Sequence, residues 1–124
     1  MQEKHGGHQK IRLVTENISH EELRRIATEI FGDMVKVVVD IDRGIMAIGG
    51  ELHADEEAFL LEDGSRQKDL WGINIYPDHP ALERVEFDSM INLRPSQGNR
   101  SRSVDDAVIR EKILQVVSKL VDWI

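Results

Sequence analysis

The stretch "MVKVVVDIDRGIMAIGG", residues 34–50, decides the fold of this chain. Its first half alternates apolar residues with Lys36, Val38 and Asp40 in the period-two pattern of a β-strand. The alternating apolar residues are Val35, Val37, Val39 and Ile41. "DRG" supplies a short connection in which Gly44 can adopt positive φ, and a second β-rich run follows at 45–48. The stretch predicts an antiparallel hairpin.

A helix is predicted on each side of this hairpin in the chain. In "ISHEELRRIATEIFGD", residues 18–33, Ser19 and Glu22 form a capping box ahead of an apolar face with helical spacing. Near the C-terminus, Ser103 with Asp106 has the same capping pattern. The wide apolar stripe that follows consists of Ile109, Ile113, Val116, Val117, Leu120 and Ile124.

Two further strands are predicted between the helices. "LWGINIYP", residues 70–77, and "RVEFDSMINLRP", residues 84–95, both alternate and both end at a proline. Residues 55–63 fit either a buried strand or a short helix that Asp55 caps, and the helix is favoured. The predicted fold is α+β, with an antiparallel sheet of about four strands built from hairpins and the N-terminal and C-terminal helices packed on one face.

Length and composition restrict the classes of protein that this chain can be. Its 124 residues suit a single α+β domain over 11–124, after a flexible N-terminal tail of residues 1–10. No apolar run reaches the length of a membrane span and no secretory signal begins the chain, so we expect a cytoplasmic protein. The absence of cysteine excludes disulfides and thiolate chemistry. A net charge of -7 disfavours nucleic acid as a partner.

An arginine loop, residues 94–102, stands out in this acidic chain. Guanidinium groups bind phosphate or carboxylate in bidentate fashion, and the loop leads into a predicted helix N-terminus. We therefore predict a site for a small anionic or phosphorylated ligand. Its candidate residues are Arg94, Ser96, Gln97, Asn99, Arg100 and Arg102. The alternative is that these arginines pair with the chain's own acids.

A second candidate is "ELHADEE", residues 51–57. If Glu51, His53 and Asp55 continue the preceding strand, their side chains share one face. Such a group could hold a metal ion or pair a histidine base with a carboxylate, as in a metal-assisted or acid/base hydrolase acting on a phosphorylated substrate. The alternative is helix capping by the same acids. We assign no cofactor and no metal ion.

Two surfaces suggest that the chain associates with copies of itself. Asn74 and Tyr76 share a sheet face with Met90 and Asn92, and this face is neither clearly polar nor clearly apolar. The C-terminal helix also has apolar residues outside its main stripe, namely Val108, Leu114, Val121 and Trp123. A homo-oligomer, in particular a homodimer, accounts for both surfaces.

Residues 11–124 resemble an uncharacterised family of small prokaryotic proteins that is known only as a domain of unknown function. The resemblance is carried by "VDIDRGIMAIGGELHADEEAFLLEDGSRQKDLWGINIYPD", residues 39–78, and by "FDSMINLRPSQGNRSRSV", residues 87–104. It implies no activity, cofactor or catalytic residue. The function expected from the residues is that of a small non-enzymatic binding or interaction module, and the hydrolase is the alternative.

Overall fold

The computed structural model describes residues 11–123, so the expected tail at 1–10 lies outside the described residues. Within that range the strands are β1 (Arg12–Val14), β2 (Ile18–Ser19), β3 (Val35–Asp40), β4 (Ile45–Ile48), β5 (Leu70–Ile75), β6 (Val85–Glu86) and β7 (Val121–Asp122). The α-helices are α1 (His20–Ile30), α2 (His53–Glu62) and α3 (Ala107–Leu120). The fold is α+β, as predicted.

Five of the seven described strands form an antiparallel sheet in the order β1-β4-β3-β5-β6. The predicted hairpin β3-β4 lies at its centre, and Gly44 in the connecting turn has φ +69°. A side chain at this φ is strained, which explains the glycine. β1, β2 and β7 were not predicted. β2 and β7 form a separate parallel pair that joins the start of α1 to the end of α3.

Two apolar clusters lie against the sheet. The first contains Leu23 of α1 and Ile113 of α3 together with Val37 of β3 and Ile73 of β5. The second contains Leu60 of α2 together with alternate strand residues such as Val38. Because successive strand residues point to opposite faces, α2 covers the face opposite to the first cluster.

The starts of α2 and α3 both differ from the predicted ones. Residues 55–63 belong to α2, as favoured, but the helix begins at His53 and its N-cap is Leu52, so Asp55 is not the cap. α3 begins at Ala107, where the Asp106 side chain accepts a hydrogen bond from the Val108 amide. The predicted start at Ser103 was therefore wrong, because Asp106 supplies the cap.

The predicted strand at 84–95 was wrong beyond Glu86. Only Val85–Glu86 pairs with β5, and Met90–Asn92 forms a 3₁₀ turn. The chain crosses over Gly72 here, so closely that a Cβ at Gly72 would lie 2.6 Å from the Ser89 Cβ. This crossing takes residues 87–95 off the sheet edge, and the side chains of Asn92 and Arg94 bond the backbone of β5 instead.

The C-terminal surface also differs from the prediction. Val121 is buried in β7 and Trp123 packs against the first cluster, whereas Val108 and Leu114 are exposed. Of the four apolar residues expected at an oligomer surface, two therefore contribute to the core. No α-helix within residues 11–123 is long and apolar enough to span a membrane.

Candidate functional site

A pocket of about 440 Å³ opens on the α2 side of the sheet. Its floor comes from β3, β5 and β6, and its walls come from the first turn of α2 and from the crossing segment 88–91. The polar lining consists of Lys36, His53, Asn74, Tyr76, Glu86, Asp88, Ser89 and Arg102. Side chains from five separate parts of the chain therefore converge here.

The pocket floor carries a row of three polar side chains across neighbouring strands. Lys36 of β3 is the register partner of Asn74 on β5, and Asn74 is the partner of Glu86 on β6. Register partners point to the same face of a sheet. The row thus has a cation at one end, an amide in the middle and a carboxylate at the other end.

Glu86 is held by two neutral donors. Its Oε1 accepts hydrogen bonds from Asn74 Nδ2 at 2.9 Å and from the Tyr76 hydroxyl at 3.1 Å. Burial and the nearby Glu86 carboxylate raise the pKa of Tyr76, so this hydroxyl stays protonated and donates. The acceptor atom of the same amide, Asn74 Oδ1, is buried and has no hydrogen-bond partner among residues 11–123.

His53 lies in the first turn of α2 and points its ring at the sheet. Its Nε2 lies 2.7 Å from the Ile73 carbonyl oxygen, which makes Nε2–H the donor and leaves the ring lone pair on Nδ1. Burial lowers the pKa of His53, so its imidazole is neutral near pH 7. The ring therefore has a fixed tautomer within the pocket lining.

The pocket also contains two cationic side chains. Lys36 Nζ lies 5.5 Å from the centre of the Phe31 ring and forms no ion pair with any described residue. Arg102 donates from Nε to Asp88 Oδ1 at 2.7 Å. This single contact leaves the terminal nitrogens of Arg102 as further donors.

Two residues of the predicted arginine loop, Arg94 and Asn99, hold the structure together through bonds to backbone carbonyls. Arg94 is half-buried, lies 4.3 Å from the centre of the Trp71 ring and donates to the carbonyls of Gln67, Leu70 and Ile91. Asn99 is buried, and its Nδ2 donates to the carbonyls of Asn92, Ser101 and Ser103.

The remaining loop residues lie on the outside. Gln97 bonds Arg94 and the Lys68 carbonyl, and Ser96 is exposed. Asp105 accepts from the Arg100 amide at 3.0 Å, so a carboxylate faces the backbone amide that an anion would need. Of the six predicted ligand-binding residues, Arg102 lines the pocket and the other five do not.

The strand arrangement expected for "ELHADEE" was wrong. Glu51 is exposed ahead of α2, while His53 and Asp55 lie within the helix, where a spacing of two residues puts side chains on different sides. Three or more His, Asp or Glu side chains suitably placed for a metal ion do not occur within residues 11–123. Only His53 of this group lines the pocket.

The sequence indicated half of this site. The mixed face of Asn74, Tyr76 and Met90 forms part of the pocket, whereas Lys36 and Glu86 were not identified as site residues. Strand alternation places Lys36 on the face opposite to Val35, and this pattern could have identified Lys36 as a residue of the same face as the pocket. The strand order β3-β5-β6, which makes Lys36 and Glu86 the ends of one row, is a long-range feature.

The structure is therefore that of a small α+β domain with an open pocket on one face of its sheet. The chain belongs to the family described as "Protein of unknown function (DUF5674)", whose model matches residues 12–120. Searches of curated proteins and of solved structures gave no match.

Proposed function

We propose that this chain is a binding module for a small anionic ligand, with the pocket as its binding site. The observation that carries the proposal is Lys36, a cation on the pocket floor without an ion-pair partner among residues 11–123. Arg102 also lines the pocket and adds terminal guanidinium donors. Ammonium and guanidinium groups form charge-assisted hydrogen bonds with phosphate and carboxylate.

The acids in the lining are compatible with this ligand. Asp88 is bonded to Arg102, and Glu86 is bonded to Asn74 and Tyr76. Leu52 and Met90 are exposed at the rim, so an apolar part of the ligand has a surface to contact. The pocket thus suits an organic anion better than a bare inorganic ion.

Calorimetric titration with propyl phosphate at low salt tests the proposal. Lys36→Gln is expected to weaken binding about tenfold, the effect of losing one charge-assisted hydrogen bond. Arg100→Gln is the matched control, because Arg100 belongs to the same predicted loop as Arg102 but lies outside the pocket. If Arg100→Gln lost binding while Lys36→Gln bound as tightly as the wild type, the site would lie at the loop and the proposed pocket site would be refuted.

Hydrolysis of a phosphoester is the second candidate, and His53 favours it. His53 is neutral and its lone pair is fixed on Nδ1, which is the protonation state of a general base. It lies in the same pocket as Lys36 and Arg102. The test is release of nitrophenol from a nitrophenyl phosphodiester. Activity that disappears in His53→Gln would support the hydrolase, and a complete lack of turnover in the wild type would oppose it.

We also retain a homo-oligomer as a proposal. Val108 is 63% exposed and Leu114 38% exposed on the outer surface of α3. Light scattering of the wild type and of a Val108→Ser, Leu114→Ser variant tests it. A wild-type monomer at high concentration would exclude the proposal.

A further inference from the structure

We infer that the ligand of this pocket is a zwitterion, whose protonated amine binds at Glu86 while its anionic group binds at Lys36. The inference rests on the proposed function and specifies the chemical class of the ligand: an ω-amino acid or an aminoalkyl phosphate. It comes from the arrangement of the pocket floor, where opposite charges are fixed at the two ends of one row.

The separation of the two charges favours one ligand with two ends. Lys36 and Glu86 lie two strands apart, which corresponds to about 10 Å between their backbones. Asn74 lies between them, and no ion pair joins Lys36 to Glu86 among the described contacts. A flexible ligand a few carbon atoms long can place its two charged groups at these two ends.

Glu86 is suited to receive a cation. Both of its described hydrogen bonds end at Oε1, from Asn74 and Tyr76, and these fix the carboxylate while leaving Oε2 for a further donor. Glu86 is also exposed, so an entering ligand can reach it.

The other acid of the lining has a different role. Asp88 is already neutralised by Arg102 at 2.7 Å, so it does not compete with Glu86 for the amine. The carboxylate end of the row is therefore Glu86, supported by Asn74 and Tyr76.

Calorimetry with two matched pairs of compounds tests the inference. The first pair is 3-aminopropyl phosphate against propyl phosphate, and the second is 6-aminohexanoate against hexanoate. The amine compound is expected to bind about tenfold more tightly in each pair, because it adds one charge-assisted hydrogen bond.

Glu86→Gln is the decisive variant, because glutamine keeps an Oε1 acceptor for Asn74 and Tyr76 and removes only the charge. It is expected to abolish the preference for the amine while propyl phosphate binds as before. Glu83→Gln, in the exposed turn Ala81–Glu83, is the matched control and should keep the preference. Thermal melting of both variants verifies that they are folded.

The outcomes separate this inference from the proposed function. Equal binding of the two members of each pair would overturn the zwitterion and leave the anion site intact. A preference for the amine that survives in Glu86→Gln would also overturn it. Failure of all four compounds to bind the wild type would overturn both the inference and the proposed function.

Discussion

The side-chain amide of Asn92 hydrogen-bonds both backbone groups of Gly72. Its Oδ1 accepts from the Gly72 amide at 2.9 Å, and its Nδ2 donates to the Gly72 carbonyl at 3.0 Å. β6 pairs with β5 only at Asn74 and Ile75, so the edge of β5 at Gly72 has no strand beside it. The Asn92 side chain occupies the place of that strand and satisfies two buried backbone groups.

We therefore expect Asn92→Ala to destabilise the chain by about 2–4 kcal/mol, because it leaves both backbone groups of Gly72 without a partner. Urea unfolding followed by fluorescence measures the change. Asn17→Ala is the control, since Asn17 is exposed, and it should change the free energy of unfolding by less than about 0.5 kcal/mol. An equally mild effect of Asn92→Ala would contradict the role assigned to this amide.

Gly72→Ala is expected to destabilise the chain by about 1–3 kcal/mol, the usual cost of overpacking a core. The new methyl group would lie 2.6 Å from both Cβ and Oγ of Ser89. A double-mutant cycle with Ser89→Gly checks the cause, because removing the Ser89 side chain should restore part of the lost stability. Strict additivity of the two effects would exclude a clash between these residues.

Arg94→Lys is expected to destabilise the chain by about 1–2 kcal/mol, although it preserves the charge. Lysine cannot donate to several carbonyls in the planar geometry of a guanidinium or stack on Trp71 in the same way. Denaturant unfolding measures the loss, and titration with propyl phosphate should show unchanged affinity. A large loss of affinity for propyl phosphate without a loss of stability would show that Arg94 belongs to the ligand site.

Glu56 is expected to make stability depend on pH. It is fully buried in α2, where Oε2 accepts from the Gly50 amide at 2.9 Å and Oε1 lacks a partner among the described residues. Desolvation by burial raises its pKa well above 4.5. The native state therefore retains a proton that the unfolded chain releases, and this contribution to stability is lost as pH rises from about 4.3 towards the folded pKa.

Urea unfolding at pH 5, 6.5 and 8 tests this dependence. Glu56→Gln should lose less stability than the wild type as pH rises, since glutamine is neutral throughout and keeps an acceptor for Gly50. Glu62→Gln, at the exposed end of α2, is the control and should follow the wild-type slope. Parallel curves for all three proteins would show that Glu56 does not titrate with a raised pKa.

Local patterns predicted the elements whose causes are local. The N-cap at Ser19 is present, with the Ser19 hydroxyl accepting from the Glu22 amide at 3.0 Å, while the Glu22 carboxylate bonds Arg12 and Arg25 and does not complete the capping box. The alternation at 35–39, the glycine turn and the strand at 70–75 are likewise present. In each case the residues that determine the conformation lie within a few positions of one another, so their spacing carries the information.

The predictions failed where distant residues decide the conformation. Residues 87–93 alternate as a strand would, but Ser89 packs on Gly72 and Asn92 bonds its backbone, so the chain crosses the edge instead of extending it. The residue type alone predicts that Arg94 binds an anion. In the fold it stacks on Trp71 and donates to backbone carbonyls, because the β5 edge lies within its reach.

The sequence by itself determined the α+β class, the central hairpin, both terminal helices and the absence of cysteine chemistry, because propensity, capping and periodicity act over a few residues. The tertiary structure alone decided which polar side chains meet. The order β3-β5-β6 sets Lys36, Asn74 and Glu86 in one row, and the crossing segment brings Arg102 to the same pocket. Strand order is a property of long-range pairing, whose register is set by packing on both faces of the sheet.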